Sequence, residues 1–213
     1  MATLGAGPDP IIVVGAGIGG LVTALSLHQA GHDVHVYESV DEVKALGVGI
    51  NLLPHAVREL DALGLLDRLV AASMQPTTLV YFTKRGQKIW DEPRGLAAGY
   101  RWPQCSVHRG TLQQLLLQTT LERLGADRVH TAHHLVDLES HDAHAVAHFA
   151  RSRGGAVERS VRGSIVVAAD GIHSAARSLR YPDEGMPRWN GALLWRGLTS
   201  APPVFDGRTM VWC

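Results

Sequence analysis

The hydrophobic positions of this chain change their period from one stretch to the next, and those changes mark its elements. Ile11-Ile12-Val13-Val14 is an unbroken β-branched aliphatic run, which predicts a short buried strand. Beyond the glycines at 15, 17, 19 and 20, Ile18, Leu21, Val22 and Leu25 fall at helical spacing, so a turn feeds an amphipathic helix ending near Gly31. Val34-His35-Val36-Tyr37 is a second strand, stopping at Glu38. Pro54 opens a helix with Val57, Leu60 and Leu63 on one side and Gly64 as its stop. From Thr77 to Trp90 two β-rich segments flank Lys84-Arg85-Gly86-Gln87, which predicts a hairpin. Residues 110–124 read as a helix burying Leu112, Leu115, Leu116, Leu121 and Leu124, with Thr111 and Gln114 in a capping box. A β-meander is expected between His130 and Phe149, then an apolar strand at Ser164–Ala169 running into Asp170-Gly171, with Ser174 and Arg177 on a short helix. The stretch from Tyr181 is rich in Pro and Trp, with strand-like pieces at 192–195 and 209–212. Residues 1–10 read as a loose leader of small residues. Strands alternating with helices define an α/β class built on a Rossmann-like parallel sheet.

Gly15, Gly17 and Gly20 complete G-x-G-x-x-G between a strand and a helix, the context that gives the pattern chemical meaning. Gly15 permits the tight turn, and Gly17 has no Cβ to hold a pyrophosphate away from the backbone. Gly20 lets helix and strand pack closely, while the helix N-terminus offers unpaired N–H groups and a positive dipole end. Glu38 lies eighteen positions past Gly20, where a carboxylate accepts hydrogen bonds from ribose hydroxyls and repels a 2′-phosphate. An ordinary glycine turn in a βαβ unit is the plainer alternative.

Composition narrows the partners. Hydrophobic residues make up 46% and charged residues 19% of the 213 positions, which suits a globular chain with a sizeable core. Twenty basic against 20 acidic residues leave no net charge to attract nucleic acid or an anionic membrane. The apolar run from Ile11 to Leu27 contains four glycines and is preceded by no Lys or Arg, so it reads as neither a secretory signal nor a membrane span. Two cysteines, Cys105 and Cys213, make no disulfide framework, and a cytoplasmic location is expected.

Other candidates carry open alternatives. Gly47-Val48-Gly49-Ile50-Asn51 is a second approach of backbone to ligand or a plain flexible loop. Arg109, beside the N-terminal end of the Leu-rich helix, is a bidentate phosphate grip or a surface arginine. Tyr81, Phe82, Trp90, Tyr100 and Trp102 line an apolar pocket or belong to the core. Six of the twelve histidines lie between His130 and His148, but strand spacing separates them too widely for one ion, so solvated histidines on a meander are expected and no metal site. Asp170 ends a parallel strand, where ligands of open α/β sheets bind.

Three separated motifs in order resemble the FAD-dependent aromatic hydroxylases, the p-hydroxybenzoate hydroxylase type of flavoprotein monooxygenase. They are Gly15 to Gly20 with Glu38, Ser106-Val107-His108-Arg109 entering the Leu-rich helix, and Asp170-Gly171 through Ser174 to Arg177. Gly47 to Asn51 and Trp195-Arg196-Gly197 are most similar to the branch of phenazine-carboxylate monooxygenases and salicylate hydroxylases. The resemblance implies FAD as cofactor, NADH or NADPH as transient reductant, and O₂ delivered to a small aromatic substrate. It implies FAD contacts at Gly15, Gly17, Gly20, Glu38, Gly47, Gly49, Arg109, Leu135 and Asp170, with Leu135 near the adenine. It also implies a FAD-binding domain in residues 1–75 and 106–180, a β-rich substrate-domain insertion at 76–105, and the start of an incomplete substrate domain at 181–213. Ser39 stands where many members carry a basic residue, Ala168 where a glycine is frequent, and a Gly-Asp-Ala-x-His-like segment is absent. A partial chain that binds FAD weakly and hydroxylates poorly is therefore expected. No catalytic acid or base is assigned: Arg196, Tyr81 and His108 are weak candidates against structural roles. An NAD-dependent dehydrogenase and a non-catalytic flavin-binding module are the alternatives.

Overall fold

The computed structural model describes residues 9–213, so the expected leader, apart from Asp9 and Pro10, lies outside the described residues. In chain order the elements are β1 (Ile11–Val14), α1 (Ile18–Gln29), β2 (Val34–Tyr37), β3 (Gly49–Leu52), α2 (Pro54–Ala62), α3 (Leu66–Ala71), β4 (Thr78–Phe82), β5 (Lys88–Pro93), β6 (Cys105–His108) and α4 (Arg109–Leu124). There follow β7 (Val129–His130), β8 (His134–Ser140), β9 (Ala145–Ala150), β10 (Arg159–Gly163), β11 (Ile165–Ala168), α5 (Ala175–Arg180) and β12 (Thr209–Trp212). They form two compact units, one of residues up to 44 with 116–192, the other of residues 45–115 with 193–213.

The first unit is built on a parallel sheet in the order β11-β1-β2-β7. Its central strand needs no polar face, because it has a strand on either side and is covered above and below; Ile12 and Val13 are wholly buried. β1 pairs with β11 through Ile11↔Ile165 and with β2 through Ile11↔Val34, both parallel. β11 lies at the sheet's edge, and its apolar run leaves Ile165 55% exposed. Helix α1 returns from β1 with Leu21, Ala24 and Leu25 buried. The antiparallel meander β8-β9-β10 is present, with a bulge in β8 between Leu135 and Asp137. Ile12, Val14, Tyr37, Leu135, Ala147, Phe149 and Ala176 form one buried cluster. Burying that much aliphatic and aromatic surface, at about 25 cal/mol per Å², is the main force holding the unit together.

In the second unit β4 and β5 form the expected hairpin, and β12 joins it parallel to β4 through Thr209↔Thr78. β3 pairs antiparallel with β6, Gly49↔His108 at one end and Leu52↔Cys105 at the other. Helix α2 starts on Pro54 at its first turn and buries Val57 and Leu60, with Leu63 buried at its end.

Three local expectations are corrected. Helix α4 begins at Arg109, so Thr111 is inside it; the cap is His108, whose Nδ1 accepts the Thr111 N–H at 3.4 Å. Within α4 Leu121 is exposed, whereas Thr119 and Thr120 are fully buried. Thr120 is tolerated there because its hydroxyl donates to the Leu116 carbonyl at 2.9 Å, so no polar group is orphaned. Residues 192–195 form no strand, since no neighbour supplies a ladder, and Trp195 is 89% exposed.

Candidate functional site

Three neighbouring strands of the first unit bring their C-terminal ends together: β11 delivers Asp170, β1 the glycine turn, and β2 Glu38. This is the edge at which open α/β sheets bind ligands. The three glycines serve different ends. Gly15 has φ +102°, and a Cβ on it would lie 2.6 Å from the Ala169 carbonyl oxygen. A Cβ on Gly20 would lie 1.9 Å from the Gly15 carbonyl oxygen. Both are demanded by packing. A Cβ on Gly17 would meet nothing within 4 Å, so what it would exclude is not protein. Gly17 is also the N-cap of α1, with no side chain capping the helix and no acidic residue in its first turn. The N–H groups of that turn therefore have no intrahelical acceptor and face the positive dipole end.

Glu38 has a second task that the sequence motif did not disclose. Its Oε2 accepts the Ala16 N–H at 2.7 Å, tying the acid directly to the glycine turn. Its Oε1 accepts the Ser39 hydroxyl at 2.9 Å and the Val40 N–H at 3.0 Å. The Glu38 main chain donates to the His130 carbonyl and accepts from His133 N, each at 2.8 Å, so the residue is clamped between strands. Asp170 uses Oδ2 to accept the Ala176 N–H at 3.2 Å, while Ser174 Oγ accepts Arg177 N at 2.9 Å; together they cap α5. Leu135 is 7% exposed, and its side chain lies in the core cluster, which leaves its main chain as what it can present to a ligand.

Behind Glu38 stands a column of rings. Tyr37 stacks on Phe149 and on His130, each at 4.5 Å between centroids, and His130 stacks on His35 at 5.3 Å. His35 Nε2 accepts from Arg128, so His35 Nδ1 carries the proton and donates to His130 Nε2 at 3.0 Å. Burial, then the Arg159 guanidinium, holds His130 down at about 4, and burial lowers His35 as well. The expectation of solvated histidines therefore fails for His130: with His35 it is a neutral, half-buried part of the core. His141 is 45% exposed and meets that expectation, whereas His148 is only 15% exposed and held by Ser160 and Glu139; both lie against the exposed Glu139, whose carboxyl they lower by hydrogen bonding.

In the second unit Gly47, Gly49 and Arg109 come together at the β3–β6 end. His108 Nε2 donates to the Gly47 carbonyl at 2.9 Å, and Arg109 N donates to the Val48 carbonyl at 2.9 Å. A Cβ on Gly47 would press on the Arg109 side chain at 3.3 Å, but one on Gly49 would meet nothing. His108 is thus a structural clasp. Among the aromatics, Tyr81 lies against Trp212 and Phe82 stacks on Phe205, Trp90 is 58% exposed, and Tyr100 and Trp102 line a groove. A smaller hollow of about 280 Å³ in the first unit, against Gly31 and His32, lies at the other end of α1 from the glycine turn.

A glycine turn, a free helix N-terminus and a clamped acid at adjacent parallel strand ends define a dinucleotide-binding α/β protein. More narrowly, residues 9–187 match the model of the FAD binding domain, and the chain belongs to that family. It is 44% identical over 203 residues to a phenazine 1,6-dicarboxylic acid hydroxylase of Lysobacter antibioticus, an alignment covering 94% of this chain and 50% of that protein. It is 32% identical over 209 residues to a 3-amino-4-hydroxybenzoate 2-monooxygenase of Streptomyces cremeus, covering 95% and 50% respectively. The crystal structure of Klebsiella pneumoniae HpxO complexed with FAD and uric acid is similar at TM-score 0.64 and 30% identity, over 80% of this chain and 41% of that one. The chain spans about half the length of the curated relatives it matches. FAD is the family's cofactor, and the open room at Gly17, with the uncapped α1 turn beside it, fits its diphosphate.

Proposed function

We propose that the chain is the nucleotide-binding part of an FAD-dependent monooxygenase that hydroxylates a small aromatic acid, with NADH or NADPH as reductant and O₂ as oxygen source. The observation that carries this reading is the open position at Gly17 over the uncapped α1 N-terminus, flanked by a Glu38 already aimed by its bond to Ala16. Bound flavin supplies the electron transfer and oxygen activation; the protein's groups bind and orient. Gly15 and Gly20 shape the turn, Gly17 admits the diphosphate, and Glu38 accepts from the adenosine ribose. The main chain of Leu135 serves the adenine side, and Asp170 holds the start of α5. In the second unit Gly49 offers bare backbone to the flavin side and Arg109 a guanidinium, with Gly47 packed beneath that side chain. The relatives' aromatic acid substrates favour a benzoate- or phenazine-like ring with a carboxylate. Both cysteines are free, in keeping with a reducing cytoplasm.

The test is a pair of titrations on the purified protein. FAD is expected to bind with quenching of its fluorescence, and NAD alone to bind at least a hundredfold more weakly. Oxidation of NADH or NADPH is expected to accelerate when salicylate or phenazine-1-carboxylate is added, but with hydroxylated product formed poorly, since the chain spans about half the length of its relatives. Uptake of NAD in preference to FAD overturns the reading.

A further inference from the structure

The segment that leads into β3 has little burial to hold it. Ala45, Gly47 and Gly49 are exposed, and Leu46 is 67% exposed. Two glycines in three positions widen the range of conformations the segment would sample if it were free. What fixes it is a set of hydrogen bonds from β6 and the start of α4. Ser106 Oγ donates to Asn51 Oδ1 at 2.5 Å, Arg109 N to the Val48 carbonyl at 2.9 Å, and His108 Nε2 to the Gly47 carbonyl at 2.9 Å. Gly110 lies flat against the same segment: a Cβ on it would be 2.4 Å from the Ala45 carbonyl carbon.

The His108 ring joins two elements. The Gly47 carbonyl can only accept, so Nε2 carries the proton; Nδ1 is then bare and accepts the Thr111 N–H at 3.4 Å. One neutral ring satisfies both. Its shorter bond goes to the segment and its longer one to the helix, the reverse of what a residue kept only as a cap would show. Ser, Thr, Asp and Asn are the preferred caps, and none has an atom where Nε2 lies. Gly47, at φ +116°, packs so closely on Arg109 that a Cβ would come within 3.3 Å of that side chain. Fixing the Gly47 carbonyl therefore fixes the turn against Arg109, and with it Gly49 two residues on.

We propose that His108 is a positioning residue for the cofactor. Its ring is spent on Gly47 and Thr111, so it acts through those groups and not on the flavin itself. It holds the bare backbone at Gly49 and the Arg109 guanidinium at one spacing before the cofactor arrives, so little conformational freedom is lost on binding. The inference rests on the flavin reading and ties His108 to the flavin half of the cofactor alone. The diphosphate and the adenosine belong to Gly17 and Glu38, in the first unit. Losing the clasp should therefore weaken FAD without weakening a ligand that lacks the flavin.

Two substitutions take the two bonds apart. Asn places an oxygen where Nδ1 lies and nothing at Nε2, so His108→Asn keeps the cap and drops the clasp; His108→Gln does the reverse, and His108→Ala drops both. The parent chain and each variant are melted without ligand, titrated with FAD by fluorescence quenching, and titrated with ADP by calorimetry. His108→Asn is expected to melt within about 2 °C of the parent, because the exposed Gly47 carbonyl regains water, yet to bind FAD about five- to tenfold more weakly, one hydrogen bond's worth, with ADP unchanged. His108→Gln is expected to bind FAD within about twofold of the parent while melting about 2–4 °C lower for want of the cap. His108→Ala is expected to show both losses. The inference is overturned if His108→Asn binds FAD as tightly as the parent, if it loses ADP as much as FAD, or if His108→Gln binds FAD no better than His108→Ala. A parent chain that takes up no FAD overturns the flavin reading and this inference with it, whereas any of those three results beside a parent that binds FAD overturns this inference alone.

Discussion

Two glycines three positions apart should respond to the same methyl group in opposite ways. In Gly20→Ala the new Cβ would sit 1.9 Å from the Gly15 carbonyl oxygen, where ordinary contact begins at 3.4 Å. The atoms must separate by about 1.5 Å, and neither can rotate away, because one is main chain in a turn at φ +102°. Overpacking of a core costs typically 1–3 kcal/mol, and a rigid backbone neighbour puts this site at the upper end, about 3 kcal/mol. For a chain of this size that lowers the melting temperature by about 6–12 °C. Gly17→Ala meets no atom within 4 Å, and φ −70° with ψ 174° is a conformation alanine adopts freely. The poorer helix cap and the stiffer unfolded chain nearly cancel, so stability should stay within about 0.5 kcal/mol of the parent. Its methyl nevertheless fills the room for a diphosphate, and FAD affinity should fall at least a hundredfold, about 3 kcal/mol. Thermal melts without FAD and fluorescence titration with it separate the two effects. A Gly17→Ala protein that melts as early as Gly20→Ala, or binds FAD as the parent does, refutes the division of labour drawn for this turn.

Other perturbations test neighbouring parts. His130 is held at about 4 when folded against an ordinary 6.5, so the folded state disfavours its protonation: the stabilisation is complete above pH 6.5 and is lost as pH falls toward 4. The full shift bounds it at about 3 kcal/mol, and solvent screening of a half-buried ring brings it to about 1. Urea unfolding at pH 7.5 and pH 5 should show that loss in the parent, and His130→Phe, which keeps the stack on Tyr37, should flatten it. Glu38→Gln replaces a charged acceptor of the Ala16 N–H by a neutral one; it should destabilise by about 1 kcal/mol and weaken FAD about tenfold or more, read by melting and titration. Cys105 is buried and its thiol is pushed up by that burial, whereas Cys213 is exposed. A thiol reagent should titrate Cys213 alone in the native protein and both after denaturation; rapid native labelling of Cys105 would mean that β6 opens readily.

What the sequence revealed was what repeats locally. The β1 run, the α1 spacing and the β2 run carry their own periods, and each ends on the residue its chemistry needs, so the glycine turn and Glu38 were legible together. Interactions without a period were not. The Glu38–Ala16 bond spans 22 positions and joins a side chain to a main-chain N–H that any residue would supply. The α4 cap was misplaced because Thr111 has the commoner capping chemistry, while His108 owes its role to a second bond to Gly47. Leu121 fits the helical stripe, but Thr119 and Thr120 take the buried positions because a threonine hydroxyl can bond back to its own helix. The pairing of β12 with β4 joins residues more than a hundred positions apart. The groove beside Gln104 brings together α2, the end of β5 and the loop before β6, none of which carries a motif.

The lone pairs of Glu38 say how a nucleotide can be received. Its two carboxylate oxygens offer about four acceptor sites. Oε1 takes the Ser39 hydroxyl and the Val40 N–H, and Oε2 takes the Ala16 N–H, so one good site remains, on the oxygen that touches the turn. A ribose hydroxyl donating there adds a bond without breaking any. A second can be accepted only if the Ser39 hydroxyl turns away, and Ser39, being exposed to rotation about one χ angle, is the cheapest of the three donors to move. The Ala16 bond must survive, because it holds the turn whose next residue is the one left bare. The acid is therefore oriented before any nucleotide arrives, and little freedom is lost when one does, which is the condition under which a single carboxylate contributes appreciably to affinity.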